Sequence, residues 1–171
     1  AAMDKDRINA AMQLAQKDIL HWREEVDGDR VTIGIAPAPL FTNHPATLTA
    51  VSQFATKENL PVAMWLAGSR EECDFVKYGS SPFQVHGGDV KRGYVEIPPW
   101  LPTGVSPVRY ALNWSAFDAP NVMIVGAVCV DDEDLRKLRE YNVAVCVCPR
   151  ACAQLGMGVA PLDEFIRADL R

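Results

Sequence analysis

Four of the five cysteines, Cys129, Cys146, Cys148 and Cys152, form the densest run of side chains able to hold a soft metal or attack an electrophile. Zinc sites are usually built from Cys-x-x-Cys pairs. Cys146-x-Cys148-x-x-x-Cys152 has a different spacing, and the reading it favours is small buried hydrophobes on and beside a core strand. Cys152 lies two residues from Arg150, whose charge would favour the thiolate. With no histidine predictably close to act as base, a packing thiol is favoured over a nucleophile. The three histidines, His21, His44 and His86, fall on a helix, a loop and a Gly-rich stretch, so surface or capping roles are expected for them. Gly156-Met157-Gly158 resembles a phosphate loop only faintly, because the Lys-Ser/Thr that should follow is missing.

The elements that must position these groups follow from hydrophobic period. Ile8, Met12, Ala15, Ile19 and Trp22 recur at steps of three and four, which predicts an amphipathic helix over Asp4 to Glu25, closed by Gly28. Val31 to Ala36 reads as a short buried strand stopped by Pro37 and Pro39. Pro45 suits the first position of a helix that continues through Leu48, Val51 and Phe54 to Asn59. Pro61 to Trp65 is a second strand, and Ser69 with Glu72 three residues on is a capping box for a helix to about Tyr78. The stretch from about 79 to 106 is dense in Gly, Pro and Ser and reads as an irregular excursion over the surface or a pocket mouth. Ser106-Pro107 opens a short helix to Asn113.

Asn121 to Val125 is a third strand, and the acidic run Asp131 to Asp134 suits the start of a helix carrying Leu135, Leu138 and Tyr141. Val143 to Cys148 is a fourth strand, stopped by Pro149. A loop of small residues then runs to Pro161, before a last short helix at Leu162, Phe165 and Ile166. Four apolar strands alternating with helices predict an α/β chain of parallel β/α units, a single domain over 1–171. With 17 basic and 22 acidic residues the net charge is −5, and no basic cluster interleaved with aromatics occurs, so neither nucleic acid nor a membrane surface is an expected partner. No stretch approaches the roughly 20 apolar residues of a membrane span. An odd number of cysteines at uneven spacing argues against a secreted disulfide framework, and the cytoplasm is the expected location.

In parallel α/β proteins functional groups sit beyond the C-terminal ends of the strands. The four ends read Pro37-Ala38-Pro39-Leu40-Phe41-Thr42; Trp65-Leu66-Ala67-Gly68-Ser69; Val125-Gly126-Ala127, followed by Asp131-Asp132-Glu133-Asp134-Leu135; and Cys148-Pro149-Arg150-Ala151-Cys152, followed by Leu155-Gly156 and Gly158-Val159-Ala160-Pro161. In order and spacing these resemble the amidohydrolase superfamily, in its branch of deaminases and chlorohydrolases that includes the aminodeoxyfutalosine and S-adenosylhomocysteine deaminases. The resemblance extends from the helix before Val31 to Leu170. It implies half of a TIM-type (β/α)8 barrel, strands four to seven, and a reaction in which a divalent zinc or iron ion activates water for C–N hydrolysis.

Position by position, the resemblance also implies what has been replaced. Ala38 stands for the family's substrate-binding histidine, Trp65 for its metal-binding histidine and Gly68 for its proton-shuttling glutamate. Gly126 stands for the histidine that polarises the substrate, and the Ser and Asn after the seventh strand are Ala151 and Cys152. The family's His-x-His pair and its metal-binding aspartate match no position between 1 and 171. Metal-assisted hydrolysis needs an ion that lowers the pKa of bound water to about 7 and a carboxylate to relay the proton, and these side chains supply neither. The expectation is therefore a chain with no cofactor and no intact catalytic set, acting as a scaffold or binding module. Trp65, Arg150 and Cys152 are its candidate contacts to a small-molecule ligand. A metal-dependent hydrolase of C–N bonds whose other strands come from a second chain is the rival expectation. A homodimer or a complementary barrel half is the expected partner, because four strands alone leave two edges open.

Overall fold

The computed structural model describes residues 5–80 and 100–171, with side chains from residue 8. Helix α1 (Lys5–Glu25) leads into an extended stretch, a 3-10 turn (Leu40–Thr42) and helix α2 (Pro45–Glu58). Then follow β1 (Pro61–Leu66), α3 (Arg70–Tyr78), α4 (Pro107–Asn113), β2 (Asn121–Gly126), α5 (Asp132–Glu140), β3 (Ala144–Cys146), α6 (Pro149–Leu155) and α7 (Leu162–Arg167). Most of the expected excursion at 79–106 lies outside the described residues, as does His86.

The three strands pair in parallel in the order β1-β2-β3, with Trp65 opposite Val125 and Val125 opposite Cys146. Alternation along the strands divides the sheet. Val62, Met64 and Leu66 on β1 and Val122 and Ile124 on β2 are buried in the main core with residues of α1 to α5. Ala63 and Trp65, Met123 and Val125, and Ala144 and Cys146 share the opposite face and are only partly covered. One helix-covered face and one apolar open face is how part of a β/α barrel should look when its interior is not closed.

The expected strand at Val31 to Ala36 is present only as a single parallel bridge, Ile35 with Val62. Its two hydrogen bonds are Ile35 N–H to the Pro61 carbonyl (2.9 Å) and Ala63 N–H to the Ile35 carbonyl (3.1 Å). Pro37 and Pro39 have no N–H to extend the ladder, and Val31 and Thr32 are exposed. The expected loop after Pro149 is instead partly α6. Proline there stands at the first helical turn, where its missing donor costs nothing, and Gly156 (φ +64°) closes the helix in the left-handed region.

Helix starts match their sequence signals. His44 Nδ1, Ser106 Oγ and Asp131 accept backbone N–H groups at the starts of α2, α4 and α5, and Asp131 with Asp134 forms a reciprocal capping box. Trp22 departs from expectation and is 55% exposed, whereas Ile8, Met12 and Ile19 are buried. By that turn α1 has reached the end of α2, where Arg23 bonds the Glu58 carbonyl. No helix among the described residues is long and apolar enough to cross a membrane.

Candidate functional site

The C-terminal ends of β1 and β2 are sewn together beyond the ladder. Ala127 N–H donates to the Leu66 carbonyl (3.0 Å), and Val128 and Cys129 N–H both donate to the Ala67 carbonyl (2.8 and 3.0 Å). Ala67 (φ +51°) and Ala127 (φ +47°) occupy the left-handed region one residue past their strands, although neither is glycine. Both are fully buried. Such strained positions persist only where the surroundings over-determine them, and they concentrate at sites.

Trp65, Gly68 and Gly126 interlock at this junction. The Trp65 indole lies on Gly68 so closely that a Cβ there would stand 2.2 Å from Nε1 and 2.5 Å from Cε2. Gly126 has φ +110°, and a Cβ on it would stand 2.9 Å from the Gly68 Cα. Trp65 itself is half-buried rather than fully buried, because its strand position points it at the open face. Ala38 is exposed in a loop held by Asn43, whose Nδ2 donates to the Ala38 carbonyl (2.6 Å).

Against the backbone of Ala67 and Gly68 lies Glu72, whose spacing from Ser69 predicts only a capping partner. Glu72 is 2% exposed, and its Oε1 and Oε2 accept the N–H groups of Ala67 (3.0 Å) and Gly68 (2.9 Å). Ser69 does cap α3 through Glu72 N–H, but the carboxylate turns back to the strand end instead of completing the box. Burial pushes the Glu72 carboxyl up to about 7, against the downward pull of the two backbone bonds. Nearby, Ser106 Oγ donates to Asp134, and Arg109 pairs with Asp131 and Glu133, tying α4 to α5.

Arg150 and Cys152 are not gathered at this junction. Arg150 is exposed on the first turn of α6 and makes no ion pair among the described residues, and Cys152 is 4% exposed within α6. Cys129, grouped by sequence with Cys146 and Cys148, meets instead a cysteine left out of that group: the Cys73 thiol donates to the Cys129 carbonyl (3.2 Å). Among the described residues no three of His, Cys, Asp and Glu are grouped to hold a metal ion. A methyl group, an indole whose nitrogen only donates and two glycines offer an ion no lone pair, and the Trp65 ring fills the space beside Gly68. The residues at the matching positions do not fit the divalent ion that the family resemblance implies.

No protein-family model matches the chain. It is 25% identical over 150 residues to the 5-methylthioadenosine/S-adenosylhomocysteine deaminase of Pelotomaculum thermopropionicum, covering 88% of this chain and 29% of that one. It is 22% identical over 163 residues to the 5'-deoxyadenosine deaminase of Methanocaldococcus jannaschii, covering 95% and 33%. Its fold matches the crystal structure of Helicobacter pylori aminofutalosine deaminase with a TM-score of 0.78 at 13% identity, over 94% of this chain and 39% of that one. The guanine deaminase of C. acetobutylicum gives 0.70 at 13% identity, over 96% and 34%. The chain thus spans about a third of the length of these relatives. It resembles the amidohydrolase-type deaminases in sequence and shares part of their barrel.

Proposed function

We propose that this chain is a non-catalytic amidohydrolase-like barrel segment that serves as a scaffold or binding module. The observation that carries this reading is the Trp65 indole resting on Gly68: the space where the family's metal ligand and proton shuttle would meet is taken by one aromatic ring. No side chain at Ala38, Trp65, Gly68 or Gly126 can bind an ion or move a proton, so metal-assisted deamination has no residues here to run on. Trp65, half-buried on the open face, is the group offered to an apolar or aromatic ligand.

The purified full chain tests this by elemental analysis for zinc and iron, together with ammonia release from S-adenosylhomocysteine and 5-methylthioadenosine. Substoichiometric metal that leaves on dialysis, with no turnover, is expected. Stoichiometric metal with turnover overturns the reading in favour of a hydrolase completed by another chain.

The same reading includes a partner. Ala63, Trp65, Met123 and Val125 present an apolar surface, Met123 being 38% exposed, and a cleft of about 380 Å³ opens on it between Ile35, Ala63 and Met123. At the β3 edge Val145 N–H donates to the Arg171 carbonyl (2.8 Å), and among the described residues the 31–36 edge is bridged once. Ala63, Trp65, Met123 and Val125 carry no charge to discourage pairing, and Arg171 lines the cleft beside them. A two-fold dimer, in which two copies face each other, buries the face and the edges. Light scattering at micromolar concentration is expected to give a dimer mass, and a monodisperse monomer overturns the association.

A further inference from the structure

The geometry points to Cys129 and Cys73 as a paired thiol modification site: Cys129 takes a glutathionyl group from a low-molecular-weight disulfide, and Cys73 resolves it into a disulfide joining α3 to the loop after β2. Cys73 sits on the first turn of α3 and Cys129 on the loop three residues beyond β2. The two are 56 residues apart in sequence, yet the Cys73 sulfur lies 3.2 Å from the Cys129 carbonyl. Both backbones are fixed, Cys73 N–H to the Ser69 carbonyl (3.2 Å) and Cys129 N–H to the Ala67 carbonyl (3.0 Å). Their roles are unequal. Cys129 is the less buried of the two, intermediate in exposure, whereas Cys73 is 9% exposed.

Electrostatics sorts them the same way. The neighbouring Cys73 thiol, helped by the Arg70 charge, brings the Cys129 thiol down to about 7, although burial and the Asp74 and Asp134 carboxylates oppose it. The interaction with Cys129, burial, and the charges of Glu72 and Asp134 push the Cys73 thiol up. Cys129 is the attacking thiolate and Cys73 the protonated resolving thiol. In the first step the Cys129 sulfur attacks one sulfur of oxidised glutathione, the S–S bond breaks, and one glutathione thiolate leaves. In the second the Cys73 sulfur attacks Cys129 Sγ, its proton passes to the second departing glutathione, and the internal disulfide remains. Two protein thiols are oxidised and one glutathione disulfide is reduced to two thiols.

The test treats the folded chain with oxidised glutathione, quenches with acid and maps disulfides in tryptic peptides. Cys73 lies in 71–77, Cys129 in 110–136, Cys146 and Cys148 in 140–150, and Cys152 in 151–167. The expected product is 71–77 joined to 110–136. In Cys73→Ser the 110–136 peptide should instead retain glutathione. Alkylation of Cys129 by iodoacetamide should follow pH with a midpoint near 7. Its rate at neutral pH should be about fivefold above that of an ordinary thiol, since a roughly fiftyfold gain in thiolate is offset about tenfold by weaker nucleophilicity. A Cys146–Cys148 disulfide as the main product, a glutathione adduct persisting on Cys129 in the unmutated chain, or reaction only after unfolding in urea each overturns the assignment. The peptide map of the unmutated chain decides the matter even if Cys73→Ser does not fold.

Discussion

Gly68→Ala should destabilise the chain by about 1–3 kcal/mol, and the same substitution in a Trp65→Ala background should cost close to nothing. A methyl group on Gly68 has nowhere to go while the indole is present, because its nearest contacts are ring atoms at 2.2, 2.5 and 2.6 Å. The ring belongs to a strand residue paired with Val125, so it can only swing away by giving up its own packing. Once Trp65 is an alanine the obstacle disappears, and replacing glycine even gains a few tenths of a kcal/mol by restricting the unfolded chain. Trp65→Ala alone should cost about 1–3 kcal/mol, less than for a fully buried tryptophan, because Trp65 is only partly buried. Gly126→Ala is the contrasting case. Its Cβ would meet the Gly68 backbone at 2.9 Å with φ at +110°, so a loss of about 3 kcal/mol or more should persist in both backgrounds. Urea unfolding of the four 65/68 combinations measures the coupling, and additivity within about 0.5 kcal/mol would show that the ring does not occupy the space. Any side chain larger than hydrogen at position 68 therefore requires the Trp65 ring to move first.

The alternation of apolar strands and helices was readable because period and capping are local. Pro45, Ser106 and Asp131 each start the helix their side chains predict. The parallel sheet followed from that alternation, and the resemblance to the amidohydrolase-type deaminases from four short motifs. Non-local choices were not readable. Whether Pro149 ends a strand or begins a helix depends on Gly156 closing the turn seven residues later. The first strand shrank to one bridge because edge pairing depends on a neighbour that local sequence does not describe. The bonds of the Glu72 carboxylate and the contact of Cys129 with Cys73 were unreadable for a related reason. A glutamate three residues after serine is indistinguishable in sequence from an ordinary capping partner, and only the fold places the Ala67 and Gly68 amides over its carboxylate. The cysteines were grouped by proximity along the chain, whereas the sheet register brings Cys129 to Cys73 across 56 residues.

Stability should fall as pH rises from about 4.5 to 7, with Glu72 as the main source. In the unfolded chain this carboxyl titrates near 4.5; in the fold, burial raises it to about 7. Between those values the folded state holds a proton that the unfolded state has released, so each step up in pH favours unfolding. Stabilisation by the neutral acid is complete below the lower value and lost above the upper one, a difference on the order of 3 kcal/mol at 1.36 kcal/mol per pH unit. Asp134, also raised by burial, adds to this slope, and Asp131, held low in spite of its burial by the Arg109 bond, opposes it at lower pH. Glu72→Gln separates these contributions. A glutamine cannot titrate, so the slope between pH 5 and 7 should largely vanish. The amide NH2 would also face one of the two N–H groups that the carboxylate now accepts, costing about 1–3 kcal/mol at pH 5. Urea midpoints for both proteins at pH 5, 6, 7 and 8 measure the two effects. An unchanged slope in Glu72→Gln would place its source elsewhere, and a flat profile in the unmutated chain would mean that the Ala67 and Gly68 amides outweigh burial and keep Glu72 ionised at the end of β1.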